Sequence, residues 1–387
     1  MKYLVILCDG MSDLPCDELN GKTPMEAASK PTMDRLACAS EAGLVKSVPD
    51  SLPPGSDVAN LSILGYNPEE CYTGRSPLEA ASMGIEMDAD DVAIRCNIVS
   101  LSKEDSFHDA VMNCYCANDI HTPEAAKVIE IANQEFGSEK LKFYPGISYR
   151  HCLIIKNGKI DLDMTPPHDI TGKRIGDYIK IIEKNQFLYE IMEKSYFLDN
   201  SKCLWFWGEG KRAELPLFRE KFGLSSVMIS AVDLLKGIGK LTGMEVINVP
   251  GATGYIDTNF TGKANAAINA LENGADLAYI HIEAPDECGH RGEVNNKVKS
   301  IELIDELVLK PVLKVMDGEH LRVLIAPDHP TPLSLKTHTR DPVPFLIYDN
   351  KTSVTGVSTF TEKTAKSTGI YIENGYELME RFTNARN

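Results

Sequence analysis

The sequence predicts an α/β protein: a mostly parallel sheet flanked by helices, interrupted by a smaller α+β insertion. Three observations carry this. Short apolar runs alternate with amphipathic stretches towards both ends of the chain, the pattern of strands joined by covering helices. The runs Lys2–Leu7, Leu277–Ile282 and Leu321–Ala326 are almost wholly apolar, as strands buried on both faces are. Between these regions polar and apolar residues alternate more, as in a sheet with one exposed face.

In chain order, Lys2–Leu7 is a strand that stops at Asp9-Gly10. Pro31–Ala42 has helical spacing and stops at Gly43. Pro53-Pro54-Gly55 is a loop, and Ser56 opens an amphipathic stretch to Gly65. Pro77–Met83 is a short helix before Gly84. In the middle, Asp91–Leu101 and Ser148–Lys156 read as strands, with Thr122–Phe136, Thr171–Lys184 and Leu188–Lys194 as helices. The α/β rhythm then returns. Strands are expected at Ser225–Ile229, Met244–Val249, Leu277–Ile282, Leu321–Ala326 and Pro344–Tyr348. Helices are expected at Ala231–Leu241, Gly262–Asn273 and Asn295–Met316. The expected domains are a discontinuous core, residues 1–88 and 200–387, and an insertion, residues 89–199.

Composition narrows the function. The 387-residue chain is 43% apolar and 25% charged, a globular balance, with a formal net charge of -16. Such acidity excludes nucleic acid and anionic membrane as expected partners. An anionic substrate would need local positive charge, from metal ions or a few basic side chains. Ten cysteines are scattered singly, the nearest pair being Cys114 and Cys116, with no zinc-ribbon spacing. Most read as buried small hydrophobes of a reduced compartment. No apolar run is long enough for a bilayer, and Met1–Cys8 is too short for a signal peptide, so a cytoplasmic protein is expected.

Three predicted strands run into metal-type ligands. Tyr3–Leu7 leads to Asp9, Leu277–Ile282 to Asp286 and His290, and Leu321–Ala326 to Asp328, His329 and His338. A lone Asp after a strand is ordinarily a cap or turn residue. Here every piece follows a buried strand, and open α/β sheets bind ligands beyond the carboxyl ends of their strands. Carboxylates and imidazoles suit zinc, manganese or magnesium. The set exceeds what one ion needs and fits two ions about 4 Å apart, the spacing that clamps an in-line phosphoryl displacement. Ser56 follows Pro53-Pro54-Gly55 at a predicted helix start, where free N–H groups and the helix dipole favour anions. Most serines there are ordinary N-caps. Beside metal ligands, Ser56 becomes a candidate nucleophile.

Together, Asp9-Gly10, Gly55-Ser56-Asp57, Pro285-Asp286 with Gly289-His290, Ala326-Pro327-Asp328-His329 and Lys336-Thr337-His338-Thr339 resemble the cofactor-independent phosphoglycerate mutases, in the shorter, archaeal-type branch. Gly74–Ala80, Ser148–His151, Pro167–Asp169, Trp205–Gly208 and Val249–Gly254 extend the resemblance, which runs from the first strand to about residue 350. It implies an alkaline-phosphatase-like core whose inserted domain closes over the substrate. It implies one metal site at Asp286, His290 and His338, and another at Asp9, Ser56, Asp328 and His329, with Ser56 carrying the phosphate. The implied ions are two divalent metals, commonly Mn2+, sometimes Mg2+, Zn2+ or Co2+.

Arg150, His151, His168 and Asp169 match motifs of the inserted domain that hold substrate, and Arg75 and Lys236 are candidate phosphate or carboxylate partners from the core. The expected activity is interconversion of 3-phosphoglycerate and 2-phosphoglycerate, in glycolysis and gluconeogenesis. Around Met112–His121 the family often carries an Asp-Tyr-Ser-Ala-Gly run, where this chain has Asn113-Cys114-Tyr115-Cys116-Ala117-Asn118. That departure keeps an alternative open, a homoserine kinase-like phosphotransferase of threonine synthesis on the same fold. No ATP-binding P-loop is present: Asp257 stands where the first glycine would be, and Ala264 replaces the Ser/Thr.

Overall fold

The computed structural model describes residues 1–198, 202–352 and 354–384. The chain divides into two compact units, Met1–Tyr72 with Glu214–Asn387, and Thr73–Ala213. The sequence-based boundary at 199/200 lies outside the described residues.

The first unit is built on an eight-stranded sheet: β1 (Lys2–Cys8), β2 (Ser40–Val45), β8 (Ser226–Ile229), β9 (Glu245–Ile247), β10 (Leu277–Ile282), β11 (Leu321–Ala326), β12 (Val343–Asp349) and β13 (Tyr371–Ile372). Its order is β13-β2-β12-β11-β1-β10-β8-β9. The run from β11 to β9 is parallel, and β12 is antiparallel to both its neighbours. Apolar side chains of β1, β10 and β11 are buried on both faces, as their nearly continuous hydrophobicity requires. Leu4, Ile6, Ala278, Ile280, Val323 and Ile325 pack with residues of the helices Phe260–Glu272 and Val294–Leu303.

Two expectations in this unit are corrected. The helix expected over Pro31–Ala42 ends at Ala37, because Ser40–Val45 is recruited as a strand between β12 and β13. The long helix expected over Asn295–Met316 contains a π-helical segment, Ile304–Leu309. Buried Asp305 lies in that segment and accepts hydrogen bonds from the N–H groups of Thr32 (3.1 Å) and Met33 (2.6 Å), satisfying the free start of the helix Pro31–Ala37.

The second unit is an antiparallel five-stranded sheet. Central β3 (Val92–Leu101) pairs with β4 (Met112–Cys114), β6 (Arg150–Ile155) and β7 (Lys202–Lys211), and β6 pairs with β5 (Leu141–Tyr144). The helices Thr122–Phe136 and Gln186–Leu198 belong to it, as does the short helix Ser76–Ser82. No α-helix forms over Thr171–Lys184. Instead Gly172 takes φ +78°, and the segment bonds back to the Ala110–Met112 backbone. Tertiary pairing there overrides the local apolar spacing.

Candidate active site

β1 lies between β10 and β11, with Cys8 opposite Ile282 and Leu7 opposite Ala326. The residues that follow these strands therefore leave the sheet side by side. The Asp9 N–H donates to the Ile282 carbonyl at 3.0 Å, tying the ends of β1 and β10 together. Gly10 adopts φ +62°, and a Cβ there would stand 2.6 Å from the Asp286 Cα. Only glycine allows this close approach of the two acidic segments.

The first cluster comes from the helix Ala284–Arg291 and the loop after β11. Asp286 lies in the first turn of that helix and His290 one turn later, on the same face. The His290 Nε2 is 3.3 Å from Asp286 Oδ2, and His338 Nε2 is 3.4 Å from Asp286 Oδ1. The two imidazole Nε2 atoms are 2.8 Å apart. His290 Nδ1 donates to the Lys336 carbonyl at 3.0 Å, which fixes the ring with Nε2 facing the cluster. Thr331 Oγ1 donates to Asp286 Oδ1, and Lys297 Nζ holds the Thr331 carbonyl at 2.8 Å. Lys297 is itself fully buried against Asp13 at 2.6 Å.

The second cluster gathers Asp9, Asp328, His329 and Ser56. The His329 Nε2 is 3.5 Å from Asp9 Oδ1, 3.5 Å from Asp328 Oδ2 and 3.1 Å from Ser56 Oγ. Ser56 opens the helix Ser56–Ile63, and its hydroxyl is 3.5 Å from Asp9 Oδ2. Asn60, one turn on, donates from Nδ2 both to the Ser56 carbonyl and to Asp328 Oδ2, each at 2.8 Å. Asp328 Oδ1 also accepts the N–H groups of Gly10 (3.2 Å) and His329 (2.9 Å). On the far side of Asp9, His281 Nε2 donates to Asp9 Oδ2 at 2.9 Å, and its Nδ1 is 3.1 Å from the Ser230 hydroxyl.

Electrostatics show what the clusters are suited to hold. Burial and the negative charges of Asp328, Asp286 and Glu283 hold the Asp9 carboxyl well above the usual carboxylate range. Burial also pushes Asp286 up, but hydrogen bonds to His290 and His338 outweigh it and hold that carboxyl well below the range. Asp9 Oδ1 is buried and accepts no hydrogen bond. Burial pushes His281 down to about 3, so it is neutral and serves as a hydrogen-bond donor to Asp9. Three sets of side chains have ligand atoms converging within 4.8 Å: Asp286, His290 and His338; Asp9, Asp286 and His329; Asp9, His281 and Asp328. An open buried carboxylate oxygen among like charges, beside the neutral His281, fits a divalent cation, which satisfies the oxygen and offsets the repulsion.

The expected substrate-holding residues are distributed between the units. Lys236 lies in the first, 3.7 Å from Asp233. Arg75, expected in the core, lies with Arg150, His151, His168 and Asp169 in Thr73–Ala213. Arg75 Nε donates to Glu79 Oε1 at 2.8 Å, and Arg95 reaches the same oxygen at 2.5 Å. Arg95 also stacks over Trp207 at 4.9 Å, and its Nε donates to Asn97 Oδ1 at 3.3 Å. His168 meets Trp207 edge-on at 5.2 Å, with exposed Asp169 3.6 Å from its Nε2. Arg150 begins β6 opposite Asn97 and lies over Tyr149 at 5.8 Å. These side chains form an arginine–aromatic face. His151 does not join it. It stands opposite Cys96, one residue out of step with Arg95 and Asn97, and so faces the other side of the sheet.

Sequence reasoning missed His281, Asn60, Thr331 and Lys297 around the clusters, and Arg95, Asn97 and Glu79 in the second unit. His281 sits inside an apolar strand and reads as core. Arg95 and Asn97 did carry a signal: two polar residues two apart in an otherwise apolar strand share one face.

The fold and this geometry define a class of α/β protein with carboxylate–imidazole clusters, suited to divalent cations, at the carboxyl edge of a parallel sheet. A family model described as 2,3-bisphosphoglycerate-independent phosphoglycerate mutase matches residues 37–202. A Geobacter sulfurreducens protein named as a probable mutase of that kind is 47% identical, over 98% of this chain and 99% of its own. The Methanosarcina barkeri 2,3-bisphosphoglycerate-independent phosphoglycerate mutase is 45% identical over 98% of each chain. A solved protein of Pyrococcus horikoshii superposes with TM-score 0.79 at 27% identity, covering 100% of this chain and 98% of the other. The cofactor-independent phosphoglycerate mutase of Thermoplasma acidophilum shares the fold, with TM-score 0.65, 24% identity and 99% coverage of both chains. The chain belongs to the 2,3-bisphosphoglycerate-independent phosphoglycerate mutase family.

Proposed function

We propose that this protein interconverts 3-phosphoglycerate and 2-phosphoglycerate without 2,3-bisphosphoglycerate, with Ser56 carrying the phosphate between the two hydroxyls. The observation that supports this best is the position of the Ser56 hydroxyl, at a helix start and 3.1 Å from His329 Nε2 within the carboxylate–imidazole clusters. Family membership at 47% identity supports the same substrate.

In this reading Asp286, His290 and His338 would hold one divalent ion, and Asp9, Ser56, Asp328 and His329 a second, most often Mn2+. Bound ions would offset the negative charge of the phosphate and ease loss of the serine proton. His281 and Asn60 keep the carboxylates of Asp9 and Asp328 aimed. Ser56 Oγ attacks phosphorus, an Oγ–P bond forms, and the bond to the 3-hydroxyl oxygen breaks. The serine proton balances the leaving alkoxide, giving glycerate. Glycerate turns, and its 2-hydroxyl takes the phosphate back by the reverse step. The unit Met1–Tyr72 with Glu214–Asn387 performs the transfer. Thr73–Ala213 is the substrate-holding unit, its arginines pairing with the substrate's anionic groups. The setting is cytoplasmic glycolysis and gluconeogenesis. Among the described residues no helix is long and apolar enough to cross a membrane.

The test is formation of 2-phosphoglycerate from 3-phosphoglycerate, followed through enolase, with manganese and no 2,3-bisphosphoglycerate. Turnover that a chelator removes and manganese restores is expected. No turnover with manganese, magnesium, zinc or cobalt contradicts the proposal.

A further inference from the structure

The segment where this chain departs from its family's pattern holds two thiols in contact. Cys114 ends β4, Cys116 follows in the turn, and their Sγ atoms are 3.2 Å apart. Among the described residues no other two cysteine sulfurs hydrogen-bond to each other. The turn is wound tightly: Ala117, Asn118 and Asp119 take φ of +48°, +56° and +56°. That left-handed run turns the Asn118 N–H back onto Cys114 Sγ at 3.3 Å.

The two sulfurs are unequal. Burial pulls the Cys114 thiol up, but the backbone N–H groups of Asn118 and Cys116 and the Cys116 thiol outweigh it and leave it below the ordinary thiol value. Burial, with Cys114 beside it, pushes Cys116 up to about 11. Cys114 is also partly exposed, whereas Cys116 is buried. The pair thus has an accessible sulfur that ionises more readily than an ordinary thiol and a second sulfur 3.2 Å away, within reach to resolve it. Between them, Tyr115 is exposed and lies edge-on to His168 at 6.3 Å, and its carbonyl accepts a hydrogen bond from Asn97 Nδ2 at 3.3 Å.

We propose that Cys114 and Cys116 form a reversible dithiol–disulfide couple, a modification site that exchanges with low-molecular-weight disulfides at the edge of the arginine–aromatic face. The Cys114 thiolate attacks one sulfur of the small disulfide, forming a mixed disulfide and releasing one small thiolate. Cys116 loses its proton and attacks Cys114 Sγ, forming the Cys114–Cys116 bond and releasing the second thiolate. The two protons from the protein thiols go to the two released thiolates. The protein pair loses two electrons and the small disulfide gains them. Closure brings the sulfurs from 3.2 Å to about 2.0 Å, a short movement within the turn. The small ring makes the product strained and easily reduced, the property of exchangeable disulfides rather than structural ones. None of this depends on the mutase reading.

The full-length protein is equilibrated with oxidised and reduced glutathione, quenched in acid, alkylated, digested and mapped. Cys38, exposed and with no cysteine sulfur beside it, acts as an internal reference and should carry glutathione. The wild-type peptide holding Cys114 and Cys116 should lack two hydrogens, carry neither alkyl label nor glutathione, and regain both thiols on reduction. In Cys116→Ser, glutathione should remain on Cys114. The proposal is overturned if the wild-type peptide comes back doubly alkylated, or with glutathione retained on Cys114, at a poise that modifies Cys38.

Discussion

Ser56 Oγ and His329 Nε2 are 3.1 Å apart, so the candidate nucleophile is in direct contact with a side chain that also faces Asp9 and Asp328. The serine is half-buried at the start of its helix and makes no hydrogen bond from its side chain into that helix. Ser56→Ala therefore removes the attacking oxygen at little structural cost. Mutase turnover should fall by at least about a thousandfold, while the thermal midpoint stays close to the wild type. Activity near the wild-type level in this variant would mean that phosphate does not pass through Ser56.

Metal content should separate the two clusters. His338→Ala removes an imidazole from the group with Asp286 and His290, whereas Asp328→Asn weakens the group beside Ser56. Each variant, dialysed against limiting manganese and measured by elemental analysis, should lose about one ion per chain and keep the other. Loss of both ions from each folded variant would contradict two separable sites.

How much of this was legible in the sequence depended on where each residue sits. Asp9, Asp286, Asp328 and His329 stand just beyond almost wholly apolar strands, and that placement alone pointed to one edge of one sheet. Ser56 was marked by the Pro-Pro-Gly loop before it. His281 was hidden because its strand is buried on both faces, and a histidine there has no periodicity to break. Thr331 and Lys297 act through a loop and a helix brought together only by folding. The strand β7 was missed: its apolar start, Cys203–Trp207, runs into Gly208 and Gly210, and glycines inside a strand weaken its signal. Its pairing with β3 places it in the second unit, beyond the reach of local patterning.

The buried pair Lys297–Asp13 has a measurable role. Lys297 Nζ contacts Asp13 Oδ2 at 2.6 Å and the Thr331 carbonyl at 2.8 Å, and Thr331 in turn holds Asp286. Lys297→Met leaves the Asp13 carboxylate buried without its cation. A loss of roughly 3–5 kcal/mol in denaturant unfolding is expected, together with weaker manganese binding. Unchanged stability and unchanged metal affinity would show that the pair anchors nothing.

His151 gives a pH signature independent of any metal ligand. Burial pushes it down to about 4, and its Nε2 is buried without a hydrogen-bond partner. The unfolded chain takes up the proton near the free histidine value of about 6.5, before the folded one does. Its contribution is therefore fully present above about 6.5 and is lost as pH falls towards about 4. The loss approaches roughly 3 kcal/mol. Unfolding free energies of wild type and His151→Gln, measured from pH 7.5 to 5, should differ in slope, with the wild type falling more steeply on the acid side. Parallel curves would show that His151 is not held neutral by the fold.

The central claim, transfer of phosphate through Ser56, is tested most directly by trapping it. Manganese-loaded protein is mixed with 3-phosphoglycerate, quenched in acid within the first turnovers, and peptide-mapped by mass spectrometry. Phosphate on the peptide containing Ser56, localised to that serine and missing from Ser56→Ala, is the predicted result. Phosphate on another residue, or no phosphopeptide while 2-phosphoglycerate accumulates at the wild-type rate, would contradict it.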